Sequence, residues 1–346
     1  MGSQNISLQN QTSHIFNGSG PVNNFTDHDD EIISWMDSYG YGIFLCMNYF
    51  IGIVGNTLSS VVLYQLSKIS SFYLYLAILA LSDLSLSICG AITNLLDFTK
   101  LESYKIDIKW LCSAESAFIL IFSHLSSWVT VAVTFDRYVA VCHPFNAIKY
   151  CTRRRALIYI CTVFLVIVAV NFPIICFKWD EEGSSCVFPE FTNDYCFKYS
   201  IYIDTCSYVL IPFCLICALN TLTIQGIYKA ASRRRNLTAN SGNVSSSIAN
   251  MKDSNMRTIT MLFTVTTFFI VTFLPFVFVS VYGMIYSENL FTMKELIPVA
   301  DTIAYLATQL NHSLNFIMYG LSGKRFRDKF LETFCCRRNV RRSQTK

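Results

Sequence analysis

Residues 39–66 read YGYGIFLCMNYFIGIVGNTLSSVVLYQL, without a single Asp, Glu, Lys or Arg. A helix needs roughly 20 mainly apolar residues to cross about 30 Å of hydrocarbon at 1.5 Å per residue, so this run is long enough to span a bilayer. Six further runs follow, at 72–97, 113–142, 156–177, 200–228, 257–286 and 296–321. The composition agrees: 53% of the 346 residues are apolar and only 14% are charged, against about a quarter in soluble domains. Lipid supplies the second apolar environment such a chain needs. The expected fold class is an all-α membrane protein, a seven-transmembrane helix bundle. A disordered or nucleic-acid-binding chain is excluded, and fourteen cysteines are too few for a small disulfide scaffold.

Organisation follows from the gaps between the runs. No loop leaves room for an inserted soluble domain, so the expected division is an extracellular N-terminus (1–38), a bundle (39–322) and a cytoplasmic tail (323–346). The N-terminal segment lacks Lys and Arg and has no basic start followed by an apolar core, so a cleaved signal peptide is not expected. The first crossing is expected to insert as its own anchor. Four glycosylation sequons, at Asn5, Asn10, Asn17 and Asn24, suit an extracellular segment. Three more occur at Asn236, Asn243 and Asn311.

Charge gives an independent reading of orientation. With seven crossings and the N-terminus outside, the outer half holds six basic residues (Lys100, Lys105, Lys109, Lys178, Lys198 and Lys294) against 18 acids. The inner half holds the other 21 basic residues and five acids, Asp83, Asp136, Asp253, Asp328 and Glu332. The net charge of +4 is thus the remainder of two large opposite charges, and the inner excess of Lys and Arg obeys the positive-inside rule. A plasma-membrane location with the C-terminus in the cytoplasm is expected.

A charge within a spanning helix costs at least about 2.5 kcal/mol on insertion scales, so each one needs a partner or a function. Asp83 lies in LAILALSDLSLS (76–87), with Asn56, Ser126, Asn311 and Asn315 as possible neighbours on other crossings. A carboxylate among amides and hydroxyls fits a small hard cation or water, and equally a packing network of hydrogen bonds. Asp136-Arg137-Tyr138 ends the third run. The adjacent acid and Arg can pair until a partner with acceptors displaces the guanidinium, or can simply anchor the helix at the interface. His124 and His312 are the histidines within spanning runs and read as hydrogen-bonded packing residues. The chain has no Walker lysine loop or HExxH, so an enzyme is not expected.

The ordered motifs Gly55-Asn56, LALSDL (79–84), Cys112, Asp136-Arg137-Tyr138, Pro212, FIVTFLPF (269–276), NHSLNFIMY (311–319) and GKRFR (323–327) resemble the rhodopsin-like (class A) G-protein-coupled receptors over residues 39–336. The last two motifs look most like neuropeptide receptors of the FMRFamide, myosuppressin and somatostatin sort. The resemblance implies a sodium site at Asp83, Ser126, Asn311 and Asn315, with no other cofactor. It implies that Arg137 meets the C-terminal helix of a G-protein α subunit, with Asp136, Tyr138, Phe145, Asn220 and Tyr319 serving the same coupling. Phe269, Phe273, Pro275, Asn315 and Tyr319 would form the activation switch. Phe326 would dock an amphipathic eighth helix, FRDKFLETF (326–334), beyond which Cys335 and Cys336 would carry palmitate. Cys112 would pair with a cysteine of the second outer loop. Cys186 and Cys196 are both available there, and Cys186 is the expected partner.

Four departures from the family pattern stand out: Phe273 for Trp, Phe316 for Pro, Asn220 for Tyr, and no Trp in the fourth run. Without proline at 316 the seventh helix is expected to be straighter. Asn255 replaces an acid found in some relatives, so an ionic lock to Arg137 is not expected. The third inner loop, rich in Ser and Asn, is expected to be flexible. Arrestin, a receptor kinase and membrane lipid are the further partners implied.

Amine receptors of this family carry a carboxylate midway along the third helix, where this chain has Ile119. Acids occur instead nearer the outer face, at Asp97, Glu115, Asp204 and Asp301, above the aromatic Tyr208, Phe276 and Tyr305. The expected ligand is a short basic peptide, drawn in by the acidic outer surface. A non-peptide ligand, a non-signalling scaffold and a transporter are the alternatives. A transporter would show paired half-repeats or several deep charges, and only Asp83 is deep.

Overall fold

Apolar runs with satisfied backbone groups can cross lipid only as helices or closed barrels, and the computed structural model is almost entirely helical. It describes the backbone of residues 27–98, 111–172, 178–180, 185–187, 202–203, 205–238, 246–286 and 296–335. Side chains are described for 40–96, 113–172, 202–203, 205–230, 259–282, 285 and 300–335. The helices are α1 (Asp27–Leu66), α2 (Ser71–Phe98), α3 (Leu111–Cys142), α4 (Pro144–Tyr150) and α5 (Arg153–Val170). A π-helical turn, Thr205–Leu210, runs into α6 (Ile211–Thr238). Then come α7 (Ser246–Tyr286), α8 (Leu296–Ser313), α9 (Asn315–Ser322) and α10 (Lys324–Phe334). Five of these segments, Gly40–Leu66, Ser71–Leu96, Ser113–Cys142, Thr205–Ala230 and Ile259–Tyr282, are long and apolar enough to span by themselves among the described residues. The fourth crossing is α5 and the seventh is α8 with α9.

Several bounds differ from the sequence reading. α1 begins at Asp27, inside the expected extracellular tail. α6 and α7 extend through much of the expected third inner loop, leaving only 239–245 between them. The short α4 was not anticipated. Pro144 opens it, since a missing N–H is no loss in a first helical turn. Two short strands, β1 (Lys178–Asp180) and β2 (Ser185–Val187), pair antiparallel with Trp179 opposite Cys186, and β1 packs against α3.

The main core joins α1, α2, α3, α5, α7 and the seventh crossing around Leu63, Phe72, Leu76, Val129, Leu262 and Tyr319. Close approach here depends on small residues, as is general between helices in lipid. A Cβ on Gly55 would sit 3.0 Å from Cβ of Phe316, and one on Gly90 would sit 2.5 Å from the Tyr49 ring.

Absence of proline at 316 does not leave the seventh crossing unbroken. The Leu314 backbone turns out of helical geometry, separating α8 from α9, and Ile317 N–H bonds back to Leu314 at 3.0 Å. The physical reason is the Asn56 amide, which donates to the His312 carbonyl at 2.8 Å. In a continuous helix that carbonyl accepts from Phe316 N–H, so a side chain inserted in the ladder does here what proline does elsewhere. Phe316 instead docks α10 under the bundle, its ring lying 5.9 Å from Phe326 and 5.7 Å from Phe330. Arg327 donates to the Gly320 and Leu321 carbonyls at 2.9 Å each, satisfying acceptors at the end of α9.

Candidate functional site

Three clusters lie along the bundle axis. The deepest surrounds Asp83, whose surface is fully covered. Ser126 of α3 donates to Oδ1 at 2.8 Å and Asn315 of α9 donates to Oδ2 at 2.7 Å, as the sequence reading anticipated. The third partner is His312 of α8, whose Nδ1 lies 2.8 Å from Oδ1 and donates to it when the carboxylate is ionised. Asn311 is buried but is not among the hydrogen-bond donors to this carboxylate, and Asn56 reaches the His312 backbone instead of Asp83. His312 could be suspected from spacing alone. It precedes Asn315 by three residues and so shares its helix face. Asn311, four residues before Asn315, shares it too, and the break at Leu314 decides between them.

The inner cluster is built on Asp136 and Arg137 at the end of α3. Arg137 donates to Asp136 Oδ2 through Nη2 at 2.6 Å and Nε at 3.2 Å. Ser71, the first residue of α2, donates to the other oxygen at 2.6 Å. The guanidinium lies 4.6 Å above the Phe72 ring, a cation–π contact that holds it against α2. Sequence reasoning anticipated the acid–Arg pair and missed Ser71 and Phe72, which carry no charge to draw attention. Cys151, between α4 and α5, approaches the Asp136 carbonyl at 3.5 Å. Burial first, and the Asp136 carboxylate second, push its thiol up to about 11. Tyr138 lies beside His143, their rings 5.6 Å apart. Phe145 on α4 is 90% exposed at this inner face. Tyr319 is fully buried, its ring 5.7 Å from Phe326.

The third cluster is the aromatic stack beneath the outer face. Phe269 and Phe273 stack with centroids 4.7 Å apart, and Tyr208 packs edge-on to Phe273 at 5.3 Å and to Phe276 at 5.8 Å. The π-helical turn presents Tyr208 inward, because its wider winding inserts one residue relative to an α-helix. Two α3 side chains hold the turn. Trp128 Nε1 donates to the Ser207 carbonyl at 3.0 Å, and His124 lies 2.9 Å from the Ser207 hydroxyl. The His124 Nδ1 donates to the Leu120 carbonyl at 2.8 Å, so a neutral ring accepts from Ser207. Below the stack, Thr266 of α7 donates to Asn220 of α6 at 3.3 Å, giving the residue that replaces Tyr a direct link to the sixth crossing. Pro275 lies within α7, between Phe273 and Phe276 of the stack.

Of the expected ligand residues, Tyr208 and Phe276 come together, while Tyr305 shares a 3.0 Å hydroxyl contact with Tyr49 of α1. Glu115 lies half-buried on α3, and Asp301 is exposed on α8. The side chains of Asp97, Asp204, Cys112, Cys186 and Asn255 lie outside the described residues, as do Asn5, Asn10, Asn17, Asn24 and Cys336. Cys335 is exposed at the end of α10.

A helical bundle with a buried acid at its centre, an acid–Arg pair at one end and an amphipathic helix beneath it defines a seven-helix membrane receptor. Squid rhodopsin shares this fold, with a TM-score of 0.69 over 86% of this chain and 85% of that one at 18% identity. The model for "7 transmembrane receptor (rhodopsin family)" matches residues 55–319, and the chain belongs to that family. It is a multi-pass membrane protein of a signalling receptor family, and it is similar to neuropeptide receptors. The Drosophila melanogaster FMRFamide receptor is 29% identical over 83% of this chain and 52% of its own length. The Bombyx mori allatostatin-A receptor is 24% identical over 66% of this chain and 61% of its own. The chain thus spans about half to three fifths of these relatives.

Proposed function

We propose that this protein is a plasma-membrane receptor for a short basic peptide and that it promotes nucleotide exchange on a heterotrimeric G protein. The observation that carries the reading is the closed inner end: Arg137 is folded against Asp136 and Phe72, while Phe145 stands exposed on α4, the helix that follows α3. A guanidinium held by one carboxylate and one ring can be drawn away by a helix end rich in carbonyl acceptors. An exposed phenylalanine gives such a partner an apolar grip. The names of the FMRFamide and allatostatin-A receptors support a peptide ligand, and the acidic outer loops support a basic one.

In this mechanism the peptide enters from the acidic side, its Arg meets Asp204, Asp301 or Glu115, and its apolar end presses on Tyr208 and Phe276. Movement of Tyr208 repacks Phe273 and Phe269. α7 pivots where Pro275 lacks an N–H, and the Asn220–Thr266 link passes the motion to α6. Arg137 is then released to the G protein. A ligand favours the open state only by its differential affinity for it. The same reading places the N-terminus and its four sequons outside, a Cys112–Cys186 bond over the cavity, palmitate on Cys335 and Cys336, and arrestin and a receptor kinase at the inner face.

The test is GTPγS exchange in membranes across a library of basic amidated peptides. The expected result is exchange that rises with at least one peptide and falls when Asp204 or Asp301 is reversed to Lys. No exchange with any G protein across the library overturns the reading, and peptide binding without exchange replaces it with a non-signalling scaffold.

A further inference from the structure

The side chains around Asp83 do not fit the sodium ion that the family resemblance implies. A hard cation is held by oxygen lone pairs. Here two of the three groups at the carboxylate are nitrogen donors, His312 Nδ1 and Asn315 Nδ2, and each turns a hydrogen toward it. Ser126 spends its proton on the same Oδ1 that His312 uses. A carboxylate offers about four lone-pair positions, so these donors leave about one. Asn311, the amide oxygen that the resemblance places at the ion, is replaced at the carboxylate by the imidazole one residue on. Facing an ionised carboxylate, which only accepts, Nδ1 carries a ring hydrogen and so presents no lone pair to an ion there.

We propose that His312 is the resident partner of Asp83, occupying the place of the allosteric cation, so that sodium does not bind the bundle through this carboxylate. His312 acts here as a positioning residue. It ties α8 to α2, through the same oxygen that Ser126 ties to α3, and these are the bonds an ion at this place would otherwise bridge.

The experiment is thermal unfolding of the full-length purified receptor in NaCl and in choline chloride at equal ionic strength, without any peptide. It is run on the wild type, Asp83→Asn, His312→Ser and the double variant. A ligand that binds only the folded state raises the melting temperature. The wild type and Asp83→Asn are expected to show the same sodium-specific rise, zero included. His312→Ser, which keeps a donor but vacates the ring's volume, is expected to gain a rise of about 2–4 °C that the added Asp83→Asn removes. A larger sodium rise in the wild type than in Asp83→Asn overturns the proposal. No gain in a folded His312→Ser receptor overturns the assignment of the exclusion to the imidazole. If His312→Ser does not fold, the comparison of the wild type with Asp83→Asn decides alone.

Discussion

Ser71 is a small residue with a large consequence. Its hydroxyl is the second donor to Asp136, and a hydrogen bond to a charged group contributes about 1.5–3 kcal/mol. Ser71→Ala is expected to loosen the carboxylate that holds Arg137. Basal GTPγS exchange without ligand should rise and the melting temperature should fall; unchanged basal exchange would remove Ser71 from the inner latch. Cys151 gives a pH prediction. Its thiol titrates at about 11 rather than the ordinary 9.0, so the folded state favours the neutral form. The stability this brings is present below the unfolded thiol's range and is lost as pH rises past it. Because only the thiolate attacks, alkylation of Cys151 at neutral pH should be slower than that of exposed Cys335, as read by peptide mapping of a receptor lacking palmitate.

At the scale of elements, the seventh crossing separates what sequence could tell from what it could not. Asn315 and Tyr319 were legible because their spacing and family motif put them on one inward face. The break at Leu314 was not, because it is imposed from α1 by Asn56, a contact between residues 256 positions apart. The role of Phe316 was hidden for a related reason: what it packs against, Gly55 and the rings of α10, is set by the fold. Phe316→Ala should therefore undock α10 and lower stability by about 3 kcal/mol, while Gly55→Ala should cost about 1–3 kcal/mol through overpacking. Thermal unfolding of both variants measures this. A cost for Phe316→Ala below that of an exposed lipid-facing residue such as Phe50 would remove the docking role.

For the molecule as a whole, asymmetry of charge is the feature that composition concealed and topology exposes. With the N-terminus outside, as proposed, six basic residues against 18 acids on that side give a field that concentrates cations at the outer mouth. Association of a basic peptide should slow steeply as salt rises and the Debye length falls to about 10 Å at 0.1 M, while dissociation changes little. Stopped-flow binding of a fluorescent peptide checks this, and equal salt dependence for a neutral analogue would discount steering. The number of crossings and their order were legible because lipid demands long apolar runs. The third inner loop was not, since polar sequence there reads as loop although α6 and α7 continue as helix to Thr238 and from Ser246.

The bond from Asn56 is made to a main-chain oxygen of residue 312, not to its side chain. Architecture and chemistry at that position are therefore separable: the grip of α1 on the seventh crossing persists whatever side chain residue 312 bears. Position 312 is free to change its tenant, imidazole, hydroxyl or amide, and so to retune the centre of the bundle without rebuilding its frame.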